Sequence, residues 1–294
     1  MPSEKSLIIR KSLHKPDQPD TRPYPIQRKE WEDAVRDVPL PTGTTIEKRQ
    51  IDHIYCELIQ CDIVDASTLI VYLHGGGFVV GSCMTHRLQV AQLSQACGIP
   101  VLSVNYRLAP EHRFPTGLDD VVNVYRHLIE TTYHPSQIIF AGDSAGGGLV
   151  ASAMLKLRNN HIALPKAGIL ISPWLDLTLT GDSIQSQRDN DPMIIESDLR
   201  YTASHYVDDA LLSDPLVSPV YASLEQLPLL LIHVGEHEIL QSDAVRFAEK
   251  AQTGGINVQL KVWDSMWHVF HAHAPDLPEA QQALDEIAEF VKSL

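Results

Sequence analysis

Cysteine is scarce in this chain, and so is positive charge. The four cysteines, Cys56, Cys61, Cys83 and Cys97, form no C-x-x-C pair, which leaves no familiar zinc spacing and no disulfide framework. They read as free, mostly buried thiols, with Cys83 just past a glycine motif described below. Lys and Arg number 23 against 37 Asp and Glu, a net charge of −14. That balance argues against nucleic acid or an anionic membrane as partner and favours solubility. Apolar runs long enough to cross a bilayer are missing too. The N-terminus offers only Leu7-Ile8-Ile9 and no signal-peptide core. A cytoplasmic protein without stable membrane association is expected. Neither repeats nor low-complexity tracts occur.

What is present is a regular alternation of strand and helix patterns over 294 residues, enough for one large domain or two ordinary ones. Residues 1–28 are rich in Pro, Lys and Asp and read as a loose lead-in or an arm that orders against the rest. Residues 30–38 have helical spacing around Trp31, stopped by Pro39, Pro41 and Gly43. Ile46, Ile51, Ile54 and Leu58 mark two short strands, an edge hairpin. The continuous apolar run Leu69-Ile70-Val71-Tyr72-Leu73 is a strand covered on both faces. Then come helix 87–97, strand 100–104, helix 117–131 and strand 137–141. A helix from Gly147, strand 167–172, a long insert, strand 229–234, helix 242–251, strand 258–262 and a helix from Pro278 follow. This order predicts a mostly parallel eight-stranded sheet flanked by helices. The connection from Pro173 to Pro228 is too long for a simple link. With its helix-like patch at 197–207 it reads as a cap segment.

Two motifs stand at strand ends. Gly142-Asp143-Ser144-Ala145-Gly146 lies between the run Ile138-Ile139-Phe140-Ala141 and a helix pattern. A G-x-S-x-G in that context is a nucleophile elbow: a turn so tight that Gly142 and Gly146 must lack side chains, with Ser144 raised above the sheet. His74-Gly75-Gly76-Gly77-Phe78 follows the strand ending at Leu73. Consecutive glycines let backbone N–H groups approach a developing oxyanion. The expected donors are Gly75, Gly76 and Ala145, with His74 orienting the loop. A serine needs a base, and in this architecture the chain order is Ser, acid, His. Among the histidines after the elbow, His268 sits on the loop after the last strand and is favoured over His271 and His273. Those two are expected to cap or solvate the following segment. The acid belongs on the loop after Leu230-Leu231-Ile232-His233-Val234, where Glu236, Glu238 and Asp243 compete.

The chain resembles the bacterial hormone-sensitive lipase family of α/β hydrolases from about Pro39 onward. The resemblance rests on His74 to Phe78, on Asn105-Tyr106-Arg107-Leu108-Ala109-Pro110-Glu111-His112 and on Gly142 to Gly147. Ser172-Pro173-Trp174-Leu175-Asp176-Leu177 and Asp191-Pro192-Met193 also match. It implies an α/β-hydrolase fold with a helical cap. The cap would be built from an N-terminal arm, residues 1–45, and a second segment, residues 181–214. The catalytic domain would cover 46–180 and 215–294. It places Glu238 as the acid, in Glu238-Ile239-Leu240 where the family's tripeptide usually begins with aspartate, with Glu236 in reserve. It also suggests a homodimer through the edge near the last strand.

The implied function is a serine carboxylesterase working on short- to medium-chain acyl esters through Ser144, Glu238 and His268, with no metal and no cofactor. Trp174, Met193, Tyr206 and Phe270 are candidates for the substrate pocket. Because His268 must be neutral to act as base, activity should rise with pH from about 6.5. An amidase or carbamate hydrolase would use the same residues. A ligand-binding receptor on this fold is the alternative outside enzymology, and the presence of His268 argues against it.

Overall fold

The computed structural model describes residues 2–294. Eight strands form one sheet: β1 (Thr45–Ile51), β2 (Ile54–Gln60), β3 (Leu69–Leu73), β4 (Val101–Val104), β5 (Ile138–Asp143), β6 (Ala167–Ile171), β7 (Leu229–Gly235) and β8 (Val258–Trp263). Their spatial order is β1-β2-β4-β3-β5-β6-β7-β8. β1 and β2 form the expected hairpin, β2 runs antiparallel to β4, and the remaining pairs are parallel.

The strand patterns follow from burial on two faces. In β3, Leu69, Val71 and Leu73 join one core, while Ile70 and Tyr72 point into the other. Ile138 and Phe140 of β5 alternate with Ile139 and Ala141 in the same way. Helices α4 (Thr116–Thr131), α5 (Ala145–Asn159) and α8 (Gln241–Thr253) cover the first face. Helices α3 (Arg87–Cys97) and α9 (Pro278–Lys292) pack together over the second.

Strand order reverses at β3 and β5, since β4 lies on one side of β3 and β5 on the other. Such a reversal opens a crevice at the carboxyl ends of the strands. The register pairs Leu73 with Gly142, so the glycine motif and the elbow emerge side by side.

Local differences from the sequence reading have plain causes. The lead-in is not loose throughout: α1 (Glu4–Ser12) is capped by Ser3, whose N–H and hydroxyl donate to Glu279 of α9. The helix expected from Glu30 is α2 (Tyr24–Val35) and begins earlier, because Pro25 occupies a first-turn position that needs no N–H donor. α5 starts at Ala145, directly after the serine, rather than at Gly147. The long connection carries a short α6 (Ser183–Ser186) and α7 (Glu196–Tyr206). Among the described residues, no helix is long and apolar enough to cross a membrane.

Candidate active site

Ser144 has φ 54° and ψ −122°, a strained conformation for a residue with a side chain. It is held from both sides: its N–H donates to the Ile171 carbonyl at 2.9 Å, and its carbonyl accepts from Trp174 N at 3.0 Å. A Cβ at Gly146 would collide with the Leu73 carbonyl oxygen, and one at Gly142 would lie 2.6 Å from the Gly146 backbone. The two flanking glycines therefore permit the turn that the sequence pattern demands. Ala145 opens α5, so its N–H is one of the helix's unpaired first-turn donors.

The glycine loop requires a correction. The Gly75 N–H points back to Asp143 Oδ1 at 3.1 Å, so that donor is already engaged. Gly76 (φ 114°) and Gly77 (φ 62°) turn the backbone into the cavity that Ser144 also lines. Their N–H groups donate to nothing among the described residues. The free donors are thus Gly76 and Gly77 rather than Gly75 and Gly76. Sequence reasoning missed this because it depends on where the buried Asp143 carboxylate points. Tyr72 donates to the same oxygen at 2.7 Å, and His86 Nε2 lies 3.5 Å from the other. Burial alone would raise the Asp143 pKa, but its interaction with His86 and these hydrogen bonds bring it below the usual range. His74 stacks on Tyr106 with ring centroids 4.3 Å apart. Burial lowers its pKa to about 3, so it is a neutral brace for the loop.

His268 and Glu238 meet at the other side. His268 Nδ1 lies 2.8 Å from Glu238 Oε2, leaving Nε2 as the ring's second nitrogen. Glu238 is fully buried, and its Oε1 accepts from the Ser172 hydroxyl at 2.7 Å and from the Gly235 N–H. Ser172 Oγ in turn accepts from Val269 N at 3.1 Å, tying the glutamate loop to the histidine loop. Burial alone would lower the His268 pKa; the hydrogen bond and charge of Glu238 outweigh it and raise it above the ordinary value.

The competitors lie elsewhere. Glu236 is exposed at its tip and accepts from Ser265 N at 2.9 Å. Asp243 accepts from the N–H groups of Leu175 and Asp176, and burial with the Asp176 charge pushes its pKa up to about 7. His271 does not solvate the following segment. It is buried against His233 with nitrogens 3.2 Å apart, and burial holds its pKa well below the ordinary value. Cys83 is buried, its Sγ 3.3 Å from the Ser103 carbonyl oxygen, and burial raises its pKa. All four cysteines are free and buried.

A cavity of about 580 Å³ opens over Ser144 and His268. Met193 and Trp174 line it. Tyr206 does not: it is buried face to face with Phe78 at 4.0 Å. Phe270 does not either, packing into the second core beside Trp263 and His271. Aromatic type alone could not separate pocket from core. The lining instead includes Tyr24 and Trp31 of α2, Val79 and Val80, and Leu199, Tyr201 and Thr202 of α7. Asp191 joins this wall to the acid loop, accepting from Ile239 N at 3.0 Å and from Met193 N and Ile194 N at 2.9 Å each. Among the described residues, no group of three or more His, Cys, Asp or Glu could hold a metal ion.

A family model described as an alpha/beta hydrolase fold matches residues 70–272. An esterase of Acinetobacter venetianus is 40% identical over 230 residues, covering 78% of this chain and 76% of its own. The chain belongs to the bacterial hormone-sensitive lipase family of α/β hydrolases. A solved esterase from that family is 37% identical with a TM-score of 0.91, covering 98% of this chain and 96% of its own. An acetyl-hydrolase of Streptomyces hygroscopicus is 35% identical, covering 89% of this chain and 86% of its own. Like these family members, the chain is a carboxylic ester hydrolase.

Proposed function

We propose that this family member hydrolyses short- to medium-chain acyl esters through a Ser144–His268–Glu238 triad and an acyl-enzyme. The observation that carries the reading is the 2.8 Å contact between His268 Nδ1 and Glu238 Oε2 in the cavity that holds Ser144. Ser144 Oγ attacks the ester carbonyl while His268 Nε2 takes its proton. The N–H groups of Gly76, Gly77 and Ala145 hold the oxyanion, each contributing about 3 kcal/mol to the transition state. His268 then protonates the departing alcohol and activates a water against the acyl-enzyme. Glu238 fixes the ring tautomer and stabilises the imidazolium.

The cap in this reading comprises α2 with its flanking loops and residues 193–202, which share the cavity wall. The confined volume and the similarity to an acetyl-hydrolase support short acyl chains.

Hydrolysis of p-nitrophenyl esters from acetate to palmitate, with Ser144→Ala alongside, tests the reading. Activity should peak at short chains and fall by several orders of magnitude in the variant. An inert native protein, or an equally active variant, refutes it, and matched p-nitroanilides then test the amidase alternative.

A further inference from the structure

The glycine loop from His74 to His86 is held from outside the sheet as well as from within it. Gly76, Gly77 and Phe78 all take positive φ, the last at 67° with a side chain attached. Backbone of that kind keeps its shape only when its surroundings over-determine it. The sheet side supplies part of the hold. Tyr106 donates to the His74 carbonyl at 2.7 Å, Asp143 accepts from Gly75 N, and Ala109 N donates to the Phe78 carbonyl at 2.9 Å. Beyond Phe78 the chain closes a turn in which Val79 N and Val80 N donate to the Gly76 carbonyl at 3.1 and 3.0 Å.

Helix α2 supplies the rest. Arg28 Nε donates to the Val79 carbonyl and its Nη2 to the Ala109 carbonyl, both at 2.7 Å. Glu111 fixes the guanidinium through two further bonds of 3.0 and 2.8 Å. One helical turn later, Glu32 Oε1 accepts from the Ser82 hydroxyl at 2.7 Å. Beside it the Trp31 ring lies against His86, with centroids 5.6 Å apart, and His86 Nε2 is 3.3 Å from Gly75 N. Positions 28, 31 and 32 share one face of a helix, so a single face of α2 meets the loop at three places. Trp31 also lines the cavity, whereas Arg28 and Glu32 do not.

We propose that α2 clamps the oxyanion loop and that Arg28 and Glu32 are positioning residues for ester hydrolysis. They act through Val79 and Ser82, which continue the chain from Gly76 and Gly77. With both ends of that stretch held, the Gly76 and Gly77 N–H groups stay where the ester carbonyl becomes an oxyanion. The benefit falls on the transition state, which needs those donors more than the bound ester does. The inference rests on the acyl-enzyme reading above.

Pentyl trifluoromethyl ketone and pentyl methyl ketone have the same chain length. Ser144 Oγ adds to the activated carbonyl of the first while His268 takes the Oγ proton, and the oxyanion so formed needs the loop donors. The second ketone binds without reacting. Both are measured as inhibitors of p-nitrophenyl butyrate hydrolysis by the native protein, Arg28→Met, Arg28→Lys and Glu32→Ala, with near-ultraviolet circular dichroism giving the folded fraction. Arg28→Met should lower kcat about a hundred-fold with KM almost unchanged, and weaken the trifluoromethyl ketone by a similar factor while leaving the methyl ketone alone. Arg28→Lys, which keeps a charged donor, should recover about ten-fold of that loss, and Glu32→Ala should show the same pattern at about ten-fold. Unchanged kcat in Arg28→Met and Glu32→Ala, equal weakening of the two ketones, or losses that merely follow the unfolded fraction overturn the clamp. If Arg28→Met does not fold, Arg28→Lys and Glu32→Ala decide by the same pair of inhibitors. A native protein that hydrolyses the ester yet binds both ketones equally overturns the acyl-enzyme reading, and the clamp with it.

Discussion

Replacing Glu238 with Gln keeps the shape of the acid and removes its charge. The carboxylate is fully buried and 2.8 Å from a histidine that is itself only 7% exposed, so solvent screens the pair little. For charges about 4 Å apart at an effective dielectric of about 20, the interaction is worth about 4 kcal/mol. Losing that much when His268 becomes an imidazolium in the transition state costs about three orders of magnitude in kcat/KM. A second readout separates this from general damage. Glu238 raises the His268 pKa against the opposing effect of burial, and without its charge burial, the largest influence, is opposed only by the weaker fields of Asp191 and Asp143, so the pKa falls. The alkaline-rising limb of kcat/KM should lie above pH 6.5 in the native enzyme and move to lower pH in Glu238→Gln, as residual activity falls. The assay is p-nitrophenyl butyrate hydrolysis between pH 5 and 9, with near-ultraviolet circular dichroism as a check on folding. A limb that stays in place, or a loss of less than about ten-fold, would show that Glu238 is not the electrostatic partner of the base.

Phe270→Ala should destabilise the protein by about 3–5 kcal/mol through a core cavity and leave chain-length preference unchanged. Met193→Ala should shift the preference with little loss of stability; calorimetry and the ester series distinguish the two, and a specificity change in Phe270→Ala would contradict the assignment of that ring to the core. Folding stability should also fall on acidification from about pH 7 to 5, before most carboxylates titrate. His74, His233 and His271 are buried with lowered pKa values, so the unfolded chain binds protons at about pH 6.5 that the folded chain refuses. Each adds a slope of up to about 1.4 kcal/mol per pH unit. His268, with its raised pKa, opposes them, its stabilisation being full below the unfolded value and lost as pH rises through the folded one. Urea melts across that window should show the net decline, and a flat profile would mean that the buried histidines are not held neutral.

The sequence by itself determined the parts whose physics is local. A five-residue apolar run must be a strand buried on both faces, and β3 is one. Gly142 and Gly146 announce the elbow because only a side-chain-free residue fits beside the Leu73 and Gly146 backbone. The proposed order of serine, acid and histidine rests on strand ends that parallel topology brings to one edge. What depends on long-range direction was not legible. Glu236 and Glu238 sit two residues apart on one loop, yet one reaches Ser265 and the other His268. The Gly75 N–H is withdrawn from the cavity by a carboxylate 68 residues away in the chain. Tyr206 and Phe270 have the chemistry of pocket walls, but stacking on Phe78 and packing beside Trp263 remove both from it. Ser172, which links the acid and histidine loops, carries no signal of that role, since a serine after a strand has many uses until its two partners are in place. Residue type and spacing specify the elements and their order; only the closed three-dimensional packing decides which of several equivalent groups faces the cavity.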